Sequence, residues 1–129
     1  LGILPTHAEY HMMKRHNSFL LGSFQDMEIV GFKSLFGHTY PDEELTDALF
    51  RVERGVGRHP GTYAEGFRRG GLMATYLIGP LLPLNPPFTR YLLEQMGAKD
   101  VHLAFEDTAM KAYRARVEEF RDEKRGYQY

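Results

Sequence analysis

Residues 62–91, TYAEGFRRGGLMATYLIGPLLPLNPPFTRY, decide how the rest of the chain is read. Tyr63, Phe67, Gly70, Gly71 and Ala74 recur at helical spacing, so a helix is expected over 62–79. Gly66, Gly70 and Gly71 each cost such a helix about 1 kcal/mol relative to alanine, roughly 3 kcal/mol in all, to be recovered from packing. The Gly66-x3-Gly70 spacing would let a second backbone approach closely, so a partner against this helix is expected. Pro80 ends the ladder, and Pro83, Pro86 and Pro87 are expected to hold the following residues extended.

Upstream, Pro41 followed by Asp42, Glu43 and Glu44 has the chemistry of a helix start: proline at the first position and negative charge at the positive dipole end. Leu45, Ala48, Leu49 and Val52 continue at i, i+3, i+4 and i+7 until Gly55, which predicts a helix over 41–54. Residues 55–61, GVGRHPG, read as a loop. Residues 1–36 form an N-terminal arm with a loose apolar pattern and a possible short helix at 17–27, interrupted by Gly22 and Gly31. Residues 37–129 read as the helical domain. Downstream, a short helix is predicted over 88–96, stopped by Gly97. A long one follows over 106–125, with Ala109, Tyr113, Val117 and Phe120 on one stripe within a mixed-charge surface. The expected fold is all-α: several helices joined by Gly/Pro-rich loops, stabilised by partners, with a long charged C-terminal helix.

Composition narrows the function classes. The 129 residues suffice for one domain with an ordinary core. Sixteen basic against seventeen acidic residues give a net charge of −1, so no general nucleic-acid binding is expected. The chain has no cysteine, which removes disulfides, thiolate chemistry and cysteine-based zinc sites. The apolar run 72–82 is about half the ~20 residues a membrane-spanning helix needs, so a chain that does not span the membrane is expected. The chain starts at Leu1, as a processed or trimmed product would.

No catalytic constellation is evident, and no cofactor or metal is expected. His7-x3-His11, with Glu9 and His16 as additional donors, has too few ligands in a fixed frame for zinc. Glu43/Glu44 and Glu118/Glu119 are better explained by helix dipoles and solvation than by acid–base chemistry. Ser18, Ser23 and Ser34 lack a nucleophile elbow, and Gly55-Val56-Gly57 lacks the strand and third glycine of a dinucleotide loop. Arg68-Arg69 and Lys14-Arg15-His16 are two short basic spots suited to a phosphate, of a lipid head group or RNA, or simply to salt bridges.

Several elements in order resemble subunit 7 of the mitochondrial cytochrome bc1 complex, the ubiquinol–cytochrome c reductase binding protein family. They are Gly31-Phe32-Lys33-x-Leu35, the acidic-headed segment from Asp42 to Arg51, Tyr63, Phe67-Arg68, Leu82-Pro83 and Phe88-Thr89-Arg90-Tyr91. The resemblance spans residues 31–125; Gly70, Gly71, Phe88 and residues 92–112 depart from the family pattern. It implies a non-catalytic accessory subunit of respiratory complex III. That subunit would lie on the matrix side of the mitochondrial inner membrane against cytochrome b and other complex III subunits, with possible lipid head-group contact. Phe32, Tyr63, Gly66, Phe67, Arg68, Gly70, Pro83, Phe88 and Tyr91 are then the partner-packing candidates. The alternatives are an accessory subunit of another large assembly, such as a mitochondrial ribosome or another respiratory complex, and a small independent enzyme or metal-binding domain.

Overall fold

The computed structural model describes residues 3–42 and 47–128. Its centre is a hairpin of β2 (His16–Phe24) and β3 (Met27–Leu35), flanked by the ribbon of β1 (Thr6–Tyr10) with β4 (Gly37–Pro41). β5 (Phe50–Arg54) and β6 (Ala64–Glu65) complete a four-stranded antiparallel sheet in the order β3-β2-β5-β6. A small hairpin, β7 (Phe67–Arg69) with β8 (Leu72–Ala74), leads to three helices: α1 (Leu81–Leu84), α2 (Pro86–Gln95) and α3 (Glu106–Arg121). The all-α expectation is therefore corrected to a mainly β fold with helices covering the sheet.

Strand β2 explains the central part of that correction. It is buried on both faces. Leu20 and Phe24, with Ile29 of β3, pack into one cluster with Leu49, Phe50, Val52, Leu77 and Phe88. Phe19 and Leu21, with Val30, face the opposite way onto Tyr113, Val117 and Phe120 of α3. A strand covered on both sides reads as a continuous apolar run rather than an alternation, which is why residues 17–27 suggested a short helix. The chain reverses at Gln25 and Asp26, between the paired Phe24 and Met27, with Gln25 in the left-handed region (φ 54°).

The predicted helix over 41–54 is likewise replaced. Residues 43–46 lie outside the described residues, including Glu43, Glu44 and Leu45; β4 ends at Pro41, and Phe50–Arg54 is strand β5. Phe50 and Val52 point inward while Arg51 and Glu53 point out, the period of two that a half-buried strand requires.

The predicted helix over 62–79 is β6, the β7–β8 hairpin and an extended segment. Gly66 has φ +65°, and a Cβ there would run into the carbonyl oxygen of Ala74. Its close approach is thus to this chain's own backbone. Gly70, at φ +58° with open space around it, sits with Gly71 at the tip of the hairpin that pairs Arg69 with Leu72. Left-handed conformations are what these glycines supply, and a helix has no use for them.

After β8 the helical reading holds in the two places where apolar spacing was long enough. α2 contains residues 88–95 of the predicted 88–96 and starts earlier, at Pro86, so Pro86 and Pro87, expected to hold extended chain, open a helix instead, where a proline suits the first turn. Leu81–Leu84, expected to be extended, makes the single turn α1. α3 ends at Arg121, short of the predicted 125; of the predicted stripe it buries Tyr113, Val117 and Phe120, with Ala109 half-buried, and it covers β2 and β3 with them. The Tyr113 hydroxyl donates to the Glu28 carbonyl at 2.8 Å; burial, with the Glu28 charge second, pushes its phenol up to about 12. Among the described residues, no helix is long and apolar enough to cross a membrane.

The outer edge of β3 is sealed by side chain and backbone together. Asn85 is fully buried just before α2; its Oδ1 accepts from the Val30 N–H at 2.8 Å, and its Nδ2 donates to the Val30 and Leu81 carbonyls, both at 2.7 Å. Phe32 exchanges backbone bonds with Ile78 at 3.0 and 2.8 Å. The carboxamide thus stands in for one residue of a neighbouring strand, which removes an otherwise open edge and fixes the start of α2.

Candidate functional site

Two polar assemblies stand out from this scaffold. The first is interior. Lys33 projects from β3 on the face shared with Ile29, and Glu65 projects from β6 at the other edge, so the sheet curls enough for the two to meet. The Lys33 ammonium lies 2.7 Å from Glu65 Oε2 and donates to the Gly57 carbonyl at 2.5 Å, with both side chains fully buried. Glu65 Oε1 accepts from the Thr75 hydroxyl at 2.8 Å and from the Tyr76 N–H at 3.1 Å. Thr75 Oγ1 in turn accepts from the Leu77 N–H at 3.0 Å. The charges are paired and their remaining valences largely met, the condition under which a buried ion pair persists.

Beside it, Arg58 is buried, lies 4.0 Å over the Phe67 ring, and donates to the Gly66 and Asp47 carbonyls at 2.8 and 3.1 Å. Burial lowers its pKa, while the Glu65 and Asp47 charges act the other way. Together Lys33, Glu65 and Arg58 tie residues 55–58 and the start of the β7–β8 hairpin to the sheet. The Thr75 hydroxyl in this network is itself committed, donating to Glu65 and accepting from the Leu77 N–H, and Glu65 is paired with Lys33, so these groups hold the fold together.

The second assembly is at the surface. A cavity of about 580 Å³ opens between the tip of the β1–β4 ribbon and the beginning of β2, lined among others by His11, Lys14, Arg15, His16, Phe36 and His38. Pairing of Tyr10 with Gly37 brings the first two histidine-bearing segments together. The His16 and His38 rings meet edge to face at 5.0 Å, and neither His16 Nε2 nor His38 Nδ1 has a hydrogen-bond partner despite being buried. His59 and His7 are close by, each stacked on Tyr40, at 4.6 and 5.8 Å.

Burial is the main cause that lowers the pKa of His16, followed by the Lys33 and Lys14 charges. For His38, burial again leads, followed by His16, Lys33, His59 and His11. Both imidazoles are held towards the neutral form. Among the described residues, no group of three or more His, Asp or Glu side chains is arranged to hold a metal ion.

The nine residues expected to pack on a partner are dispersed. Phe67 and Phe88 lie in this chain's interior, and Phe32 packs partly buried against the α3 side of the sheet. Arg68 donates to the Tyr91 hydroxyl at 3.2 Å and lies 5.2 Å over the Phe24 ring. Gly66 and Gly70 are turn residues, as described above. Tyr63 and Pro83 are exposed. Sequence reasoning missed Lys33, Glu65, Arg58 and Asn85, whose partners are distant in sequence. The basic run Lys14-Arg15-His16 and the histidine pattern of His11 with His16 were the local signals for the cavity.

No family model matches the chain. Over 95 residues it is 36% identical to the lipid II isoglutaminyl synthase (glutamine-hydrolyzing) subunit GatD of Staphylococcus aureus (strain N315). The match covers 74% of this chain and 38% of that protein, so the chain spans about two fifths of the length of the relative. The chain is thus similar to a subunit of a bacterial enzyme.

This likeness corrects the mitochondrial reading. The expected function in respiratory complex III, the partners cytochrome b and other complex III subunits, and the location on the matrix side of the inner membrane are all displaced by it. Of the segments that carried the resemblance to subunit 7, the one from Asp42 to Arg51 and Phe67-Arg68 were expected to be helical. In the structure, Phe67-Arg68 belongs to strand β7, and the segment ending at Arg51 runs into strand β5.

Proposed function

We propose that this chain is a framework portion of a glutamine-hydrolysing enzyme subunit, contributing walls and loop supports rather than the attacking nucleophile. The likeness over 95 residues to a subunit described as glutamine-hydrolysing carries the reading. The chemistry agrees with the division of labour. Cleaving a carboxamide by covalent catalysis takes a nucleophile activated by an adjacent base, and this chain has no cysteine. Of its serines, Ser34 donates to Asn17 and accepts from Arg15, while Ser18 Oγ is buried without a partner. No hydrogen bond joins a serine to a histidine among the described residues. What the chain does provide is a curled sheet whose loops are pinned by buried polar bonds.

The test is glutamate release from glutamine, measured for the purified chain and for the assembly recovered from its host with the tagged chain. The chain alone should be inactive and the assembly active. Hydrolysis by the chain alone would refute the framework role. An assembly that never hydrolyses glutamine would refute the enzyme class.

A further inference from the structure

We propose that the histidine-lined cavity at the tip of the β1–β4 ribbon binds the phosphate group of a small phosphorylated molecule. The proposal is independent of any role in glutamine hydrolysis. Its first support is the sign of the wall. The chain carries a net charge of −1, yet the cavity collects Lys14, Arg15, His11, His16 and His38 with no acidic side chain among the described residues that line it. Glu9, opposite His38 across the ribbon, turns its carboxylate towards His7 at 3.8 Å, and His7 is bonded to Asp42 at 2.5 Å. Glu9 and Asp42 are thus engaged with His7, and neither lines the cavity.

The second support is unspent hydrogen-bonding capacity. His16 Nε2 and His38 Nδ1 are buried and unpartnered, a cost that proteins ordinarily avoid and a bound oxyanion would relieve. Arg15 is held in place by donation from Nε to Ser34 Oγ at 3.0 Å, with Ser34 donating onward to Asn17 Oδ1 at 2.8 Å. This sets the guanidinium 5.7 Å from the Phe36 ring centre. Phosphate suits such a wall better than a carboxylate. It offers three acceptor oxygens and close to two negative charges at pH 7, against the single charge of a carboxylate. The volume, about 580 Å³, exceeds what a bare phosphate fills, and Phe36 and Pro60 give an organic moiety an apolar wall.

The experiment uses the intact chain, with inorganic phosphate and phenyl phosphate as probes and the imidazole carbon-bound proton resonances as readout. Saturable shifts of His16 and His38, but not His102, are expected at roughly millimolar probe, the range of a single small contact. Phenyl phosphate should bind more tightly, and acetate at equal ionic strength should leave the resonances unmoved. Replacing the exposed Lys14 and Arg15 together with alanine should weaken phosphate binding at least about tenfold while leaving the circular dichroism unchanged. Equal shifts with acetate, no shift with either phosphate, or undiminished binding by the double variant would each overturn the site. So would association with anionic lipid vesicles that neither phosphate competes away.

Discussion

Replacing Lys33 with methionine isolates the energetics of the interior pair. The parent ammonium has two partners, Glu65 Oε2 at 2.7 Å and the Gly57 carbonyl at 2.5 Å, in a site with no solvent access to either charged side chain. Methionine retains much of the volume but leaves the Gly57 carbonyl without this donor and the Glu65 carboxylate with only the Thr75 hydroxyl and the Tyr76 N–H. Stranding a buried charge in this way costs about 3–5 kcal/mol, a large part of the ~5–15 kcal/mol that holds a domain together. With a urea slope of about 2 kcal/mol per molar, the midpoint should fall by roughly 1.5–2.5 M.

The double variant Lys33→Met with Glu65→Gln removes both charges while keeping an acceptor oxygen for Thr75 and Tyr76. It should lose less than the sum of the two single changes, by about 1–3 kcal/mol. A Lys33→Met midpoint within 0.5 M of the parent, taken here as about 1 kcal/mol, would refute the assignment of a tightly coupled buried pair. Strict additivity in the double variant would do the same.

Three further outcomes follow from the same structure. Asn85→Ala strips the Val30 N–H and carbonyl and the Leu81 carbonyl of their partner and should cost roughly 2–4 kcal/mol by chemical denaturation; hydrogen exchange at Val30 should accelerate, and an unchanged rate would argue against the sealed edge. Gly66→Val meets both a left-handed backbone and the Ala74 carbonyl and should destabilise by roughly 2 kcal/mol or more, whereas Gly70→Ala, with equal backbone strain but open space, should cost only about 1 kcal/mol; equal losses would contradict the hairpin packing. His16 and His38 lie below the ordinary 6.5 when folded and return to it when unfolded, so the unfolded chain binds more protons just below that value. Their contribution is therefore intact above about pH 6.5 and lost as pH falls through it; a His16→Gln/His38→Gln variant should show a flatter midpoint between pH 7.5 and 5.5, and an identical slope would rule the pair out as its source.

How far the fold can be read from the sequence depends on how each element is covered. α3 lies on one face of the sheet, so burial marks Tyr113, Val117 and Phe120 at helical spacing and the stripe is visible. β2 is covered on both sides, so Phe19, Leu20 and Leu21 are all apolar and no period survives. Around β5, Val52 and the preceding Leu49 fit a helical spacing as well as Phe50 and Val52 fit alternation; a five-residue strand is too short to separate the two. The glycines were the discriminating signal. A helix over 62–79 incurred roughly 3 kcal/mol for Gly66, Gly70 and Gly71, whereas an Arg69-Gly70-Gly71-Leu72 turn uses two of them, and the left-handed backbone at Gly66 the third, at no such cost. The site residues were hidden for another reason. Lys33 and Glu65 are 32 positions apart and each looks like a solvated surface residue on its own. Only the closure of the sheet makes them partners.

That closure also separates the two polar assemblies by what each leaves undone. Inside, Lys33 and Glu65 satisfy each other and Asn85 satisfies a strand edge, so these groups have capacity committed to the fold and little left for a ligand. At the ribbon tip the reverse holds: two buried ring nitrogens remain without partners while cations surround them. A stable arrangement tolerates such unmet capacity where another molecule completes it. Substitutions in the interior network should accordingly act through unfolding and move the denaturation midpoint. Substitutions at Lys14 or Arg15 should change anion binding with the denaturation midpoint left in place. A variant of Lys14 and Arg15 that lowered stability as much as Lys33→Met would show that the cavity wall is part of the structural network, and the distinction between the two assemblies would fail.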